Sequence, residues 1–245
     1  MKRFKCTVEY DGKRFNGWQS QPHKNTIQQS IEIALKKVTR KTTKIFGSGR
    51  TDTGVHAIGQ VFHFDYEGLL QPFEILKGTN HFLNKKNISI LEVQKVNNNF
   101  NSRKNAILRT YHYIIINRKS SLSLMKGRAW HVKKKLNIKK MQMAAECFLG
   151  KHDFTTFRSK SCNASSPIRT IEYSKIVKSS KKIIYVVKSR SFLQHQVRSM
   201  VGGLKYVGEG KWNIEDLKNS IVKKNRNICP TIAPSCGLYL FKVKY

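Results

Sequence analysis

The segment GSGRTDTGVHAIGQVFHFD, Gly47 to Asp65, decides how this chain is read. Within ten residues it places Gly47, Gly49 and Gly54 around Arg50 and Asp52, and it then alternates into Gln-Val-Phe-His-Phe. The glycines allow a sharp bend or a close backbone approach, so a loop is expected, followed by a strand at about 60–65. Arg50, two residues from Asp52, is expected to ion-pair with it and keep it ionised. An ionised carboxylate in such a loop is either a structural counter-ion or a nucleophile or base. The glycines do not make a phosphate loop, because no Lys-Ser/Thr follows and no strand-to-helix step begins there.

Asp52 is unusual company for its chain. Lysine and arginine number 47 against 14 aspartates and glutamates, a formal net charge of +33. A field of that sign attracts polyanions, nucleic acid foremost. A membrane surface is the rival partner, but no apolar run is long enough to span a bilayer and no acylation signal is present. The opening MKRFKCTVEYDG alternates instead of running into an apolar block, so it does not read as a secretory signal. The five cysteines are scattered without a C-x-x-C pair, and the histidines lack ligand spacing beside them. Reduced thiols, no metal and a cytoplasmic location are therefore expected.

Outward from the loop, RFKCTVEY (3–10) alternates as a strand, and DGKRFNGWQSQPHKN reads as a loop. Thr26 with Gln29 forms a capping-box pattern, and Ile27, Ile31, Ala34, Leu35 and Val38 share one helical face. A helix is expected after Pro72 and a strand at 88–96. A second half begins near Asn105 with the strand ILRTYHYIIIN, which puts Arg109, Tyr111 and Tyr113 on one face. A helix with Met141, Ala144, Ala145 and Phe148 inward, stopped by Gly150, follows. Strands are expected at 169–177 and 183–192, helices from about His195 and at 214–224, and a closing strand in GLYLFKVKY. Hairpin-like strand pairs without a βαβα rhythm give an α+β class with a largely antiparallel sheet, in an N-terminal half (1–104) and a C-terminal half (105–245).

Two further residues carry chemistry. Tyr111, on a strand face beside Arg109, has the ring to stack on a base taken out of its helix. Arg198 lies near the start of a helix, where the dipole favours anions, so it needs a carboxylate or phosphate partner.

GRTDTGVHA resembles the catalytic loop of the tRNA pseudouridine synthase I family, G-R-T-D-A-G-V-H-A. The likeness runs in order through nearly the whole chain. YDGKRFNGWQSQ resembles the family's opening, FNSRKNAILRTYHYII its R-x-Y-x-Y strand and GKHDFTTF its H-D-F-x-x-F box. SFLQHQVRSMVGGLKYVGEGK resembles its arginine helix, and APSCGLYLFKVKY its ending. Thr53 stands where alanine is usual, and Ser199 where asparagine is common.

The resemblance implies an isomerase that converts uridine to pseudouridine in the anticodon arm of tRNA, with no cofactor and no metal. It implies the pseudouridine synthase fold, two related halves around a mostly antiparallel mixed sheet with a central basic cleft, and a homodimer. Asp52 would be the nucleophile, or the base in a route through a glycal. Arg50 and Arg198 would hold and charge-balance it. Tyr111 would stack on the uracil and take the proton from C5, and Leu238 or Leu240 would pack against the base. A nucleoside-cleaving hydrolase would want a second carboxylate as acid, and none is obvious near these motifs.

Overall fold

The computed structural model describes residues 1–179 and 182–245. In chain order the elements are β1 (Lys2–Tyr10), α1 (Ile27–Thr39), β2 (Phe46–Gly47), β3 (His56–Tyr66), α2 (Pro72–Leu83), β4 (Ile88–Val96), β5 (Leu108–Asn117), β6 (Trp130–Val132), α3 (Ile138–Glu146), β7 (Gly150–Asp153), β8 (Ile168–Ser179), β9 (Lys182–Ser189), α4 (Gln196–Gly208), α5 (Ile214–Val222) and β10 (Leu238–Lys244). The class is α+β with mostly antiparallel pairing, while β3–β10 and β5–β6 pair in parallel. Two compact units divide the chain, residues Met1–Ile107 with Tyr239–Tyr245, and residues Leu108–Leu238. The closing strand therefore belongs mainly with the first unit and not with the C-terminal half, because Tyr239 and Leu240 pair with His56 and Ala57 of β3.

The first unit orders its strands β4-β1-β3-β10, with β2 on β3. Phe4, Cys6 and Val8 alternate inward on β1, and the register sets Phe4 against Phe64 and Cys6 against Phe62. These side chains are fully buried, a gain of about 1.5–3 kcal/mol for each large apolar group. Thr26 caps α1, its hydroxyl accepting from Gln29 N–H at 3.4 Å. Pro72 enters α2 in its first turn, where the missing N–H costs nothing, and Gln71 with Glu74 closes a capping box. Helix α2 packs on β4 and α1 on α2.

The second unit orders its strands β5-β9-β8-β7, with β6 on β5. Its core gathers Phe148, Phe154 and Phe157, whose rings meet at 5.4–6.4 Å. The H-D-F box is thus structural: Phe154 and Phe157 are core, Thr156 Oγ1 donates to Ser220 O at 2.6 Å, and Asp153 accepts from Thr155 N–H. Helix α3 buries Met141, Ala144 and Ala145 as its spacing demands, but it ends at Glu146. Phe148 is buried just beyond it, and Gly150 opens β7 at a φ of +92° instead of stopping the helix directly. Strands β2, β6 and β7 are two to four residues long, too short to show a period in sequence.

Candidate active site

In the first unit the Asp52 loop rests on the segment between β1 and α1. Trp18 N–H donates to Thr51 O at 3.1 Å, and Gly54 N–H to Phe15 O at 3.4 Å. Tyr10 Oη and Thr51 Oγ1 share a buried hydrogen bond of 2.8 Å. Gly17 passes beneath at a φ of +87°, and a Cβ there would stand 2.6 Å from Thr51 O and 3.3 Å from the Asp52 carbonyl carbon. Gly47 lies against the Trp18 indole, and Gln60 ties the loop's start by accepting from Ser48 Oγ at 2.6 Å and donating to Gly49 O at 2.9 Å. At the loop's end, His56 Nδ1 stands 3.2 Å from both Gly12 N and Asp11 Oδ1, and its ring stacks on Tyr239 at 4.7 Å. The Y-D-G-x-x-F-x-G-W stretch, legible in sequence only as a loop, is the bed on which the aspartate turn is laid.

The turn itself spans Asp52–Val55 and is closed by Val55 N–H donating to Asp52 O at 3.1 Å. Gly54, third in it, has a φ of +77°, the left-handed value that a turn of type II reserves for glycine. Thr53 is exposed at the second position, so threonine in place of alanine adds only a surface methyl and hydroxyl. Asp52 is half-buried at the head of the turn. Arg50 is exposed. An ion pair between Arg50 and Asp52 would lie at the surface, since Arg50 stands in water. A solvated arginine gains little from holding such a contact.

Gly17→Ala is expected to cost roughly 1–3 kcal/mol in chemical denaturation, the usual price of a left-handed non-glycine residue. It should also lower turnover of the protein that remains folded, since the added Cβ pushes on Thr51 and Asp52. Unchanged turnover in the folded fraction would show that the bed does not position the carboxylate.

In the second unit, α4 starts at Gln196 behind His195 at a φ of +64°, which puts Arg198 in its first turn. Arg198 Nε donates to Ala233 O at 2.7 Å, and Ala233 N–H returns a bond to Arg198 O at 3.1 Å. Tyr113 grips the next residue, its phenol donating to Pro234 O at 2.7 Å. The Tyr113 ring lies where a Cβ on Gly237 would intrude, at 2.6 Å. The arginine helix, the tyrosine strand and the A-P-S-C-G box therefore meet at one point. Tyr113 is 0% exposed, and burial pushes its phenol well above the ordinary range, so it is a neutral clasp.

Tyr111, two residues earlier on the same face, is 9% exposed and meets the Phe192 ring edge-on at 5.2 Å. Arg109 is buried and donates to Arg190 O across the β5–β9 pairing, so it serves the sheet. Ser199 is fully buried in α4, so its difference from asparagine falls inside the core. Leu238 keeps 7% of its surface exposed, whereas Leu240 is fully enclosed and presents nothing to a base. Among the described residues no three His, Cys, Asp or Glu side chains converge as a metal site would need, and no helix is long and apolar enough to cross a membrane.

A carboxylate held on a braced, glycine-closed turn in a strongly cationic α+β chain is the arrangement expected of an enzyme that acts on nucleic acid. The family model of tRNA pseudouridine synthase matches residues 7–103 and 144–245, which include Asp52, Arg198 and Leu238, with Tyr111 in the interval between. The chain belongs to the tRNA pseudouridine synthase family, isomerases that convert uridine to pseudouridine. Among its relatives, tRNA pseudouridine synthase A of Methylocella silvestris is 44% identical over 100% of this chain and 99% of its own. The protein of that name from Pelagibacter ubique is 46% identical over the full length of both chains. That from Neorickettsia sennetsu is 43% identical over 99% of this chain and 100% of its own.

Proposed function

We propose that this protein converts uridine to pseudouridine in the anticodon arm of tRNA, with Asp52 as the group that starts the reaction. The observation that carries the reading is the presentation of Asp52: half-buried at the head of a turn that the preceding loop braces by backbone and side-chain bonds. Rigid support of that kind suits a group whose charge must stand at one place. The reaction breaks the bond from the ribose C1′ to N1, turns the uracil and joins C1′ to C5. The proton leaving C5 is balanced by one gained at N1, so no redox partner or second substrate is needed. Asp52 begins it by adding to C1′ or by taking a proton from C2′ on the way to a glycal.

Tyr111 stacks on the freed uracil and receives the C5 proton, with its ring held by Phe192. Arg198 balances the aspartate's charge from a helix N-terminus that does not itself need a cation. Arg50, solvated beside the turn, meets the RNA backbone and so supports the site from outside. Leu238 contributes the apolar edge against the base. The protein works as a homodimer in the cytoplasm, where its five free cysteines stay reduced.

The direct test is chemical mapping of pseudouridine in tRNA incubated with the purified protein. Conversion confined to the anticodon arm supports the reading. No conversion, or release of free uracil, removes it, the latter in favour of a hydrolase.

The formal charge of +33 leads to a second measurement. If the protein neutralises ~6–10 phosphates, affinity for tRNA should fall roughly 10³–10⁵-fold between about 50 and 200 mM salt. A flat titration would show that the lysines are not a docking surface.

A further inference from the structure

Phe46 is a large apolar side chain left 52% exposed, six residues before Asp52. It is not loose. Strand β2 pairs Phe46 with His63 of β3, and the two rings stack at 5.1 Å with 22° between their planes. Ser102 Oγ donates to Phe46 O at 2.6 Å. Beneath, His63 is buried against the Phe100 ring edge at 6.1 Å, and Phe100 meets Tyr245 at 4.9 Å. Burial pulls the His63 imidazole below its ordinary range, and Ser102 N–H donates to its Nδ1 at 3.2 Å, which suits a neutral ring. One face of Phe46 is thus backed by a fixed aromatic stack, and the ring keeps half its surface in water.

The surroundings are cationic. Lys44 stands two residues before Phe46, and Arg103 and Lys104 follow Ser102; all three are exposed. Lys5, across from His63 in the register, sits 5.4 Å from the Tyr245 ring centre. The carboxylate next along this face of β3, Asp65, is gripped by both Arg3 Nε and Nη2 at 2.7 Å, so its charge is already matched. Glu92 lies two strands away on β4. Aromatic faces set among exposed cations fit a single-stranded polynucleotide, whose bases stack and whose phosphates need neutralising. A protein partner would not call for both.

We propose that Phe46 is a stacking platform for an unpaired base of the same tRNA whose uridine is presented to Asp52. This rests on the function proposed above. Six residues of chain reach at most about 20 Å, so one RNA arm can touch both places. The ring is already ordered by β2 pairing and by Ser102, so little conformational freedom is lost when a base settles on it.

The test is equilibrium binding of a tRNA transcript to the full-length protein at one fixed salt concentration, by filter retention. Phe46→Ala should weaken affinity by about 5- to 150-fold, the range for losing one base–aromatic stack. Phe46→Trp should keep the parent's affinity, and its added fluorescence, over the signal of the parent's own tryptophans, should be quenched as tRNA binds. If thermal melting shows Phe46→Ala to be unfolded, Phe46→Leu decides: it keeps apolar bulk, lacks a flat ring and should also bind more weakly. Affinity within twofold of the parent for the folded variant overturns the platform. So does unchanged affinity with an altered sedimenting mass, which would make this face a contact between copies of the chain. A parent protein that fails to bind tRNA at all would instead overturn the function proposed above, whatever Phe46 does.

Discussion

Asp52→Asn is expected to abolish pseudouridine formation, a loss of at least ~10³-fold in single-turnover rate, while tRNA affinity stays close to the parent's. Asparagine has the size and shape of aspartate, and the turn that holds it is made by backbone atoms: Val55 N–H to Asp52 O, with Gly54 at positive φ. The bed beneath is made by Thr51, Tyr10 and Trp18, none of which the substitution changes. Folding should therefore survive. What is lost is the charge, and with it both the ability to add to C1′ and the ability to take a proton from C2′. The measurement is pseudouridine yield in tRNA against time, beside a binding titration. Turnover comparable to the parent's would remove Asp52 from the reaction.

Tyr111→Phe should bind tRNA normally and stall after the base has been detached, with release of tritium from C5-labelled uridine slowed by about 10²–10⁴-fold. A ring that only stacks tolerates the change, because the face and area remain. A hydroxyl that receives a proton does not, because phenylalanine has no acceptor. The ring's seat supports this division: Phe192 holds it edge-on at 5.2 Å and Val187 pairs with it across β9, and both contacts survive loss of the hydroxyl. Tyr111→Ala should lose stacking and chemistry together. Parent-like tritium release from Tyr111→Phe would leave Tyr111 as a platform alone. An active Tyr111→Ala would make it a core residue like Tyr113.

The two residues show where local pattern stops being informative. Tyr111 and Tyr113 share a strand face, and alternation treats them alike. Tyr113 becomes a clasp because the chain 121 residues later brings Pro234 O within 2.7 Å. Spacing puts Arg50 beside Asp52, and the family resemblance adds Arg198. The structure leaves Arg50 in water and ties Arg198 to Ala233.

The α+β class, the principal strands and helices, the turn around Asp52 and the family are legible in the residues alone. Periodicity, capping and turn-forming glycines act over a few residues, and the ordered motifs are written in the chain directly. Long-range packing set the final strand on β3, enclosed Leu240 while Leu238 keeps an edge, and made the Gly12–Trp18 stretch a bed for the Asp52 turn. Each of those depends on which distant segments pack together. Burial and hydrogen-bond satisfaction settle that over the whole fold, and no local window contains it.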